Sequence, residues 1–477
     1  MLRFLLGLMA ALTVLGGVVL GGVTVTMSDS YPGAGPARGD WPAPRSWPDA
    51  PTVVAVLLGA EGTVVSDALL PYEAFARTSG FLVYTVSAQR RPVSLSGGLR
   101  VVPDHTFGSA PAPDVVVVPA VVQQEPELQD WLAGQASRGA YVLGVCAGAE
   151  VLADAGLLTG RRATSFWQRL DGLRDRHPDT TWVAGERFVE DGRIVTTAGV
   201  TSGLAGSLRL IELLAGPAEA TRVGREVSYH DWAPGRATRI AEQHLAVGDL
   251  PYALNAAFPW LRPTIGIGLT DGVGEIDVAA AFEVYAGTSF ASTTVPVAVH
   301  PTVTTRHGML LTAGLASVDR LIVPGVDRPT PDMADWAADQ GLEVTLPHSE
   351  RRLDEFSLDP LLRDLAERTD RATARTTAKF TEYSADHLHL TGALWPWRST
   401  ALGLLAIIAA VVAGAFPSVA ARCRRALAAV AHRCRRALAA AAHRRRRALA
   451  AASDREPAMP SECSAESAER RPSSASR

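Results

Sequence analysis

Nine residues constrain the fold of this chain more than any other stretch: Tyr141-Val142-Leu143-Gly144-Val145-Cys146-Ala147-Gly148-Ala149. An apolar run suited to a buried strand passes directly into a helix-forming run, with Gly-x-Cys-x-Gly at the junction. So sharp a turn holds its central residue in a strained conformation and needs small residues on either side of it. Gly144 and Gly148 supply them. The turn lifts Cys146 to the carboxyl end of the strand and to a helix N-terminus, where free N–H groups and aligned peptide dipoles favour thiolate over thiol. The other three cysteines, Cys423, Cys434 and Cys463, all lie near the C-terminus, so no disulfide framework can staple the globular part. A lone thiol is either a buried inert side chain or a reactive one, and the elbow argues for the reactive one.

The elbow sits inside an alternation of strand and helix patterns. Residues 52–58, 81–86, 114–118, 140–145 and 193–197 are β-branched apolar runs, whereas 66–79, 126–137, 147–157 and 202–214 read as helices. Such alternation predicts an α/β fold in which a parallel sheet is flanked by helices on both faces. Ligand sites in these sheets lie beyond the carboxyl ends of the strands, which is where the elbow places Cys146.

From Val145 to Thr164 the sequence resembles the elbow and following helix of the ThiJ/PfpI family, within the class I glutamine amidotransferase-like superfamily. It is most similar to the branch that includes isonitrile hydratases and the amidase-like domains of AraC-type regulators. The resemblance runs from Thr52 to about Val227 and includes residues 94–104, 114–119 and 195–203. It implies a flavodoxin-like fold, with an acidic side chain from the segment after the first strand set against the thiol. The branch pattern Asp-x-x-x-Pro-x-Glu-x-Phe is matched by Asp67, Pro71, Glu73 and Phe75, so Asp67 inherits that role, with Glu61 the alternative. A carboxyl group beside a thiol can share its proton and act as general acid or base. The backbone amides of Ala120 and Ala147 are expected to form an oxyanion hole, and Thr201 and Ser202 to lie on a loop bordering the site. Two departures stand out. Ser165-Phe166-Trp167 replaces the His-Trp of many relatives, and Pro119-Ala120-Val121 stands where Pro-Gly-Gly is frequent. With His230 read as a surface residue, no Cys-His-Glu triad forms, and glutamine hydrolysis is not expected.

A second, worn copy of the pattern follows. Residues 265–285 resemble the first strand, loop and helix again, and Arg320 to Gly325 parallels the strand ending at Ala120. Seven residues after Gly139 comes Cys146, and seven after Gly341 comes His348, so the copy has no nucleophile. It is expected to pack against the first domain as an intramolecular pseudo-dimer.

Membrane segments frame both domains. Residues 4–25 form an apolar run after Arg3, long enough to cross a bilayer, and read as an anchor or a signal peptide. Residues 399–416 form a second run, preceded by Trp395 and Trp397 and followed by ten Arg between Arg422 and Arg447. Residues 418–477 carry 14 Arg against 5 acidic residues, a local charge of +9, which leaves −12 on the rest of the chain. An acidic body of this kind does not suit nucleic acid. The basic tail repeats with an 11-residue period that keeps Leu427, Leu438 and Leu449 aligned; this fits either a helix on an anionic leaflet or low-complexity drift. The expected divisions are an anchor or signal at 1–27, a Pro/Gly linker at 28–50, domains at 51–235 and 262–392, a transmembrane helix at 399–417 and a basic cytoplasmic tail at 418–477. Both termini are placed in the cytoplasm and the two domains outside it. Two functions fit: a cysteine-dependent hydratase or hydrolase of a small electrophile, and a ligand-binding or redox-sensing module signalling through the membrane. Neither calls for a metal or organic cofactor.

Overall fold

A computed structural model describes residues 2–33, 41–44, 52–349, 354–415 and 436. The basic tail, its repeat and most of the expected linker fall outside the described residues. The chain divides into two compact units, residues 1–14 with 409–477, and residues 15–408.

Within the larger unit a seven-stranded sheet forms the first domain. Its order is Phe188–Asp191, Ile194–Thr197, Tyr141–Gly144, Val115–Val118, Thr52–Leu57, Phe81–Ser87 and His105–Thr106. Neighbours are parallel except at the Phe188–Asp191 edge, which pairs antiparallel with Ile194–Thr197. The Val115–Val118 strand is buried along its whole length, which is why it is pure valine: helices cover both of its faces. Each expected strand and helix of this domain is present within a few residues of its expected bounds.

A second sheet lies in the order Thr293–Val297, Thr264–Gly268, Arg320–Ile322 and Val344–Thr345, all parallel. The Glu275–Phe282 helix follows its central strand. The two sheets are joined by a third. Its strands run Thr302–Thr304, Leu310–Thr312, Arg100–Val102 and Val93–Ser94, all antiparallel, so each half supplies two. At the junction Val101 faces Leu311, with Arg100 opposite Thr312 and Val102 opposite Leu310.

Helix packing ties the halves together in a reciprocal way. Glu73, on the Val65–Ala76 helix, accepts a hydrogen bond from the backbone N–H of Ile276 at 2.7 Å, at the start of the Glu275–Phe282 helix. Glu283, just beyond the end of that second helix, accepts from the Ser66 hydroxyl at 2.7 Å, at the start of the first. Each carboxyl thus meets the other helix at its positive end. The largest apolar core runs continuously through both halves, from Val54 and Phe75 to Phe282 and Leu361.

Two helices are long and apolar enough to cross a membrane, Leu5–Ser30 and Trp397–Ala415. The first belongs to a helix that runs to Ser30, three residues past the expected boundary at Met27. Its last turn is held by the body: Thr26 donates to the carbonyl of Ala256 at 2.9 Å, and Asp29 pairs with Arg262 at 2.6 Å.

The elbow geometry depends on Gly148. A Cβ there would lie 2.0 Å from the carbonyl oxygen of Val118, on the neighbouring strand. Gly148→Ala is expected to destabilise the body by about 3 kcal/mol, the upper end of overpacking costs, in urea unfolding monitored by tryptophan fluorescence.

Candidate functional site

The sequence around Cys146 folds into the strained elbow that its glycines predict. Cys146 has φ of 57°, a left-handed conformation rare for a residue with a side chain. It is the last residue before the turn into the Gly148–Asp154 helix and is 7% exposed. Three contacts hold the turn. The Cys146 N–H donates to Thr197 Oγ1 at 3.4 Å, the Ser165 hydroxyl donates to the Cys146 carbonyl at 2.9 Å, and the Ala147 N–H bonds the sulfur. Through that bond Ser165 braces the elbow.

Asp67 is the third residue of the Val65–Ala76 helix and is fully buried. Its Oδ2 accepts from the Ala120 N–H at 3.1 Å, while its side chain also hydrogen-bonds the Cys146 thiol. Carboxyl and thiol are therefore in direct contact. Glu61, the alternative, is exposed.

The electrostatics of this pair differ from the sequence expectation of a favoured thiolate. Burial is the largest influence on Cys146 and pushes the thiol well above its ordinary range; the Asp67 charge adds to this, and the Ala147 amide opposes it. Burial likewise raises the Asp67 carboxyl well above the usual carboxylate range, against the pull of the Ala120 N–H. In a low-dielectric site the cost of desolvating a charge outweighs one helix terminus. Both shifts favour the uncharged forms, carboxylic acid and thiol. The amides of Ala120 and Ala147, expected to form an oxyanion hole, are both engaged here, the first on Asp67 and the second on the sulfur.

Thr201 ends the loop after the Ile194–Thr197 strand and Ser202 opens the Ser202–Ala215 helix, and both contact a residue that sequence reasoning missed. Thr201 donates to the backbone carbonyl of Glu382 at 2.9 Å, and Ser202 donates to its Oε2 at 3.1 Å. Glu382 follows the Arg371–Phe380 helix, has φ of 51°, and is close enough for its charge to bear on both Cys146 and Asp67. Glu283 and Tyr31 were missed as well. Glu283 bears on both groups, and Tyr31, one residue beyond the first apolar helix, has its hydroxyl bonded with Ser96 and feels the charges of Asp67, Glu283 and Cys146. A usable signal existed for Glu283: Asp277 and Glu283 are spaced like Asp67 and Glu73. For Glu382 there was none.

In the second half Asp277 is the third residue of its helix, and His348 stands beside it with Nε2 3.6 Å from Oδ1. The Ser357 hydroxyl donates to Asp277 at 2.7 Å, and His348 Nδ1 accepts from the Gly325 N–H at 2.9 Å. His348 Nε2 then carries the proton, directed at Ser357. The Ser357 proton thus points to Asp277 and not to the imidazole, the reverse of what an activated serine requires. His230 is exposed and bonds the carbonyl of Asp354, away from Cys146. Among the described residues one group has metal-ligand spacing: Glu73, Glu275 and His307, with ligand atoms within 4.8 Å of one another. Arg77 and the Ile276 N–H already engage Glu73, and His307 with Thr305 engage Glu275, so the group reads as an ion-pair network between the halves.

A raised Asp67 fixes the sign of a pH effect. Between the ordinary carboxylate range and its folded value, the folded chain keeps a proton that the unfolded chain has lost, so stability falls as pH rises through that window. Asp67→Asn copies the neutral form and escapes this loss. The variant is expected to match the parent near pH 4 and to be more stable at pH 8, the difference growing by no more than about 1.4 kcal/mol per pH unit in urea titrations.

The family model of the DJ-1/PfpI family matches residues 53–213, the segment that carries the elbow, Asp67, Thr201 and Ser202. The isonitrile hydratase of Pseudomonas putida is 33% identical over 165 residues, which are 33% of this chain and 71% of that protein. The HTH-type transcriptional regulator CdhR of Pseudomonas aeruginosa is 33% identical over 147 residues, 30% of this chain and 44% of the regulator. Among solved structures, a THiJ/PfpI family protein from Pseudomonas syringae is 28% identical, with a TM-score of 0.35, covering 41% of this chain and 85% of that one. With two thirds of a curated relative covered at this identity, the chain belongs to the DJ-1/PfpI family.

Proposed function

We propose that this chain is a membrane-anchored, cysteine-dependent hydratase or hydrolase of a small uncharged electrophile, a C≡N or carbonyl compound. The observation that carries the reading is the buried contact between Cys146, held at positive φ, and the carboxyl of Asp67. The similarity to isonitrile hydratase supports the substrate class. A neutral thiol beside a neutral acid suits a proton relay. As the sulfur bonds to the electrophilic carbon, the S–H proton passes to Asp67, and the Asp67 proton passes to the substrate. One S–H bond and one π bond of the substrate break, one S–C bond and one bond from hydrogen to substrate form, and Asp67 ends as it began. No net charge is created where burial makes charge expensive. Water then releases the product from sulfur, with Asp67 again carrying the proton. Where negative charge builds on substrate during attack, the amide of Ala147 is the nearest donor once it leaves the sulfur.

The second half reads as a degenerate copy that closes on the first as a built-in partner. The shared strand order, the reciprocal Glu73 and Glu283 contacts and the joint antiparallel sheet support this. The apolar helices at 5–30 and 397–415 support anchoring, with the body on the outer face and the Arg-rich tail inside. A second reading, a ligand-binding module, is favoured by the similarity to a transcriptional regulator.

With isonitriles and nitriles as substrate panel, Cys146→Ala is expected to abolish turnover and Asp67→Asn to lower kcat by about 10²–10⁴-fold, the usual worth of a positioned acid–base. Turnover surviving in Cys146→Ala rejects the mechanism. A panel without turnover, but with a ligand that raises the thermal midpoint, favours the binding module.

A further inference from the structure

The second half has no nucleophile, yet it places a carboxyl group at the thiol site of the first. Glu382 reaches over Gly199, where a Cβ would stand 2.8 Å from the Glu382 carboxyl carbon; only glycine leaves that room. The carboxyl accepts from the Gly199 N–H and from the Ser202 hydroxyl, and the Thr201 N–H donates to the carbonyl of Thr381 at 3.1 Å. The corner at 381–382 thus clasps the loop at the carboxyl end of the sheet, beside the elbow. A cleft of about 630 Å³, lined among others by Arg187, Gln243, Lys379 and Tyr383, ends on Glu382. A narrower one of about 90 Å³ continues from Glu382 to Ser165, Trp167 and Ala198, against the elbow. Neither is lined by Cys146 itself, and Glu382 is among the residues that line both.

We propose that Glu382 is the gate of the thiol site, supplied by the second half: it screens entrants by charge, admitting uncharged molecules, and it governs the ionisation of Cys146. This rests on the reading of Cys146 as the reactive centre. The charged groups facing Glu382 are Arg187, which favours its ionised form, and Cys146, Asp67 and Tyr229, each of which its charge pushes up. Arg187 is paired with Asp231 at 2.7 Å, and Lys379 with Asp249 at 2.6 Å, so neither neutralises the gate. Burial pushes the Glu382 carboxyl up to about 7, against the pull of Gly199, Ser202 and Arg187. The gate therefore changes charge across neutral pH. Below pH 7 it is uncharged; above pH 7 its negative charge opposes formation of the thiolate and the entry of anions.

The test uses the full chain with Cys423→Ser, Cys434→Ser and Cys463→Ser, leaving Cys146 as the one thiol. Alkylation by uncharged iodoacetamide is followed from pH 5 to 9. The parent should show a break near pH 7 that Glu382→Gln lacks. The two should label alike at pH 6, with Glu382→Gln about tenfold faster at pH 8, as expected when one like charge worth about one pKa unit is removed. The rate ratio of iodoacetate to iodoacetamide at pH 8 should rise in the same variant. Ser202→Ala removes a donor that favours the ionised carboxyl, so the break should move to higher pH. Parallel profiles for parent and Glu382→Gln overturn the gate. Should Glu382→Gln fail to fold by circular dichroism, an unmoved break in Ser202→Ala overturns it instead. A parent whose Cys146 reacts at no pH rejects the thiol reading itself.

Discussion

A carboxyl and a thiol buried against each other cannot both ionise, and the first domain is arranged around keeping them together. The Asp67 carboxyl lies against the Cys146 sulfur, and the Ala120 N–H holds its Oδ2. Each partner comes from a different strand or helix junction at one end of the sheet. The sulfur is raised by an elbow that closes only because Gly148 fits beneath the Val118 carbonyl, and Ala120 follows two residues after Val118 in the same chain turn. Moving the Val115–Val118 strand would disturb the elbow and the orientation of Asp67 at once.

That arrangement also needs the second half. The helix carrying Asp67 begins at Val65, and its first turn is engaged by Glu283 through Ser66. When ionised, Glu283 and Glu382 from the far half add negative charge that opposes ionisation of Asp67 and Cys146. The second half thus bears directly on the electrostatics of the first. In the second half, His348 is held between the Gly325 N–H and Ser357.

The sequence made legible what is written locally. Glycine spacing announced the elbow, β-branched runs announced the buried strands, and the Asp67-to-Phe75 pattern pointed to the acid that touches sulfur. What it hid falls into two kinds. Contacts across more than a hundred residues, such as Ser202 with Glu382, leave no trace in spacing. The protonation state was also hidden, because a helix terminus is visible as a motif while the depth of burial around it is not; the motif argued for thiolate and the burial overrides it. The edge strand Phe188–Asp191 escaped for a third reason. It is four residues long and mixes Phe, Val, Glu and Asp, without the apolar run that marked its neighbours.

Neutrality at the site separates the functional readings. Thiolates, not thiols, react with peroxide, so redox sensors keep their cysteines ionised and exposed. Cys146 is 7% exposed, and three carboxyls, the buried Asp67 and Glu283 and the partly buried Glu382, all oppose its ionisation. Such surroundings slow oxidation and suit a thiol that stays protonated. The same surroundings would bind an uncharged ligand without turning it over. What distinguishes enzyme from receptor is then whether water can reach the sulfur adduct.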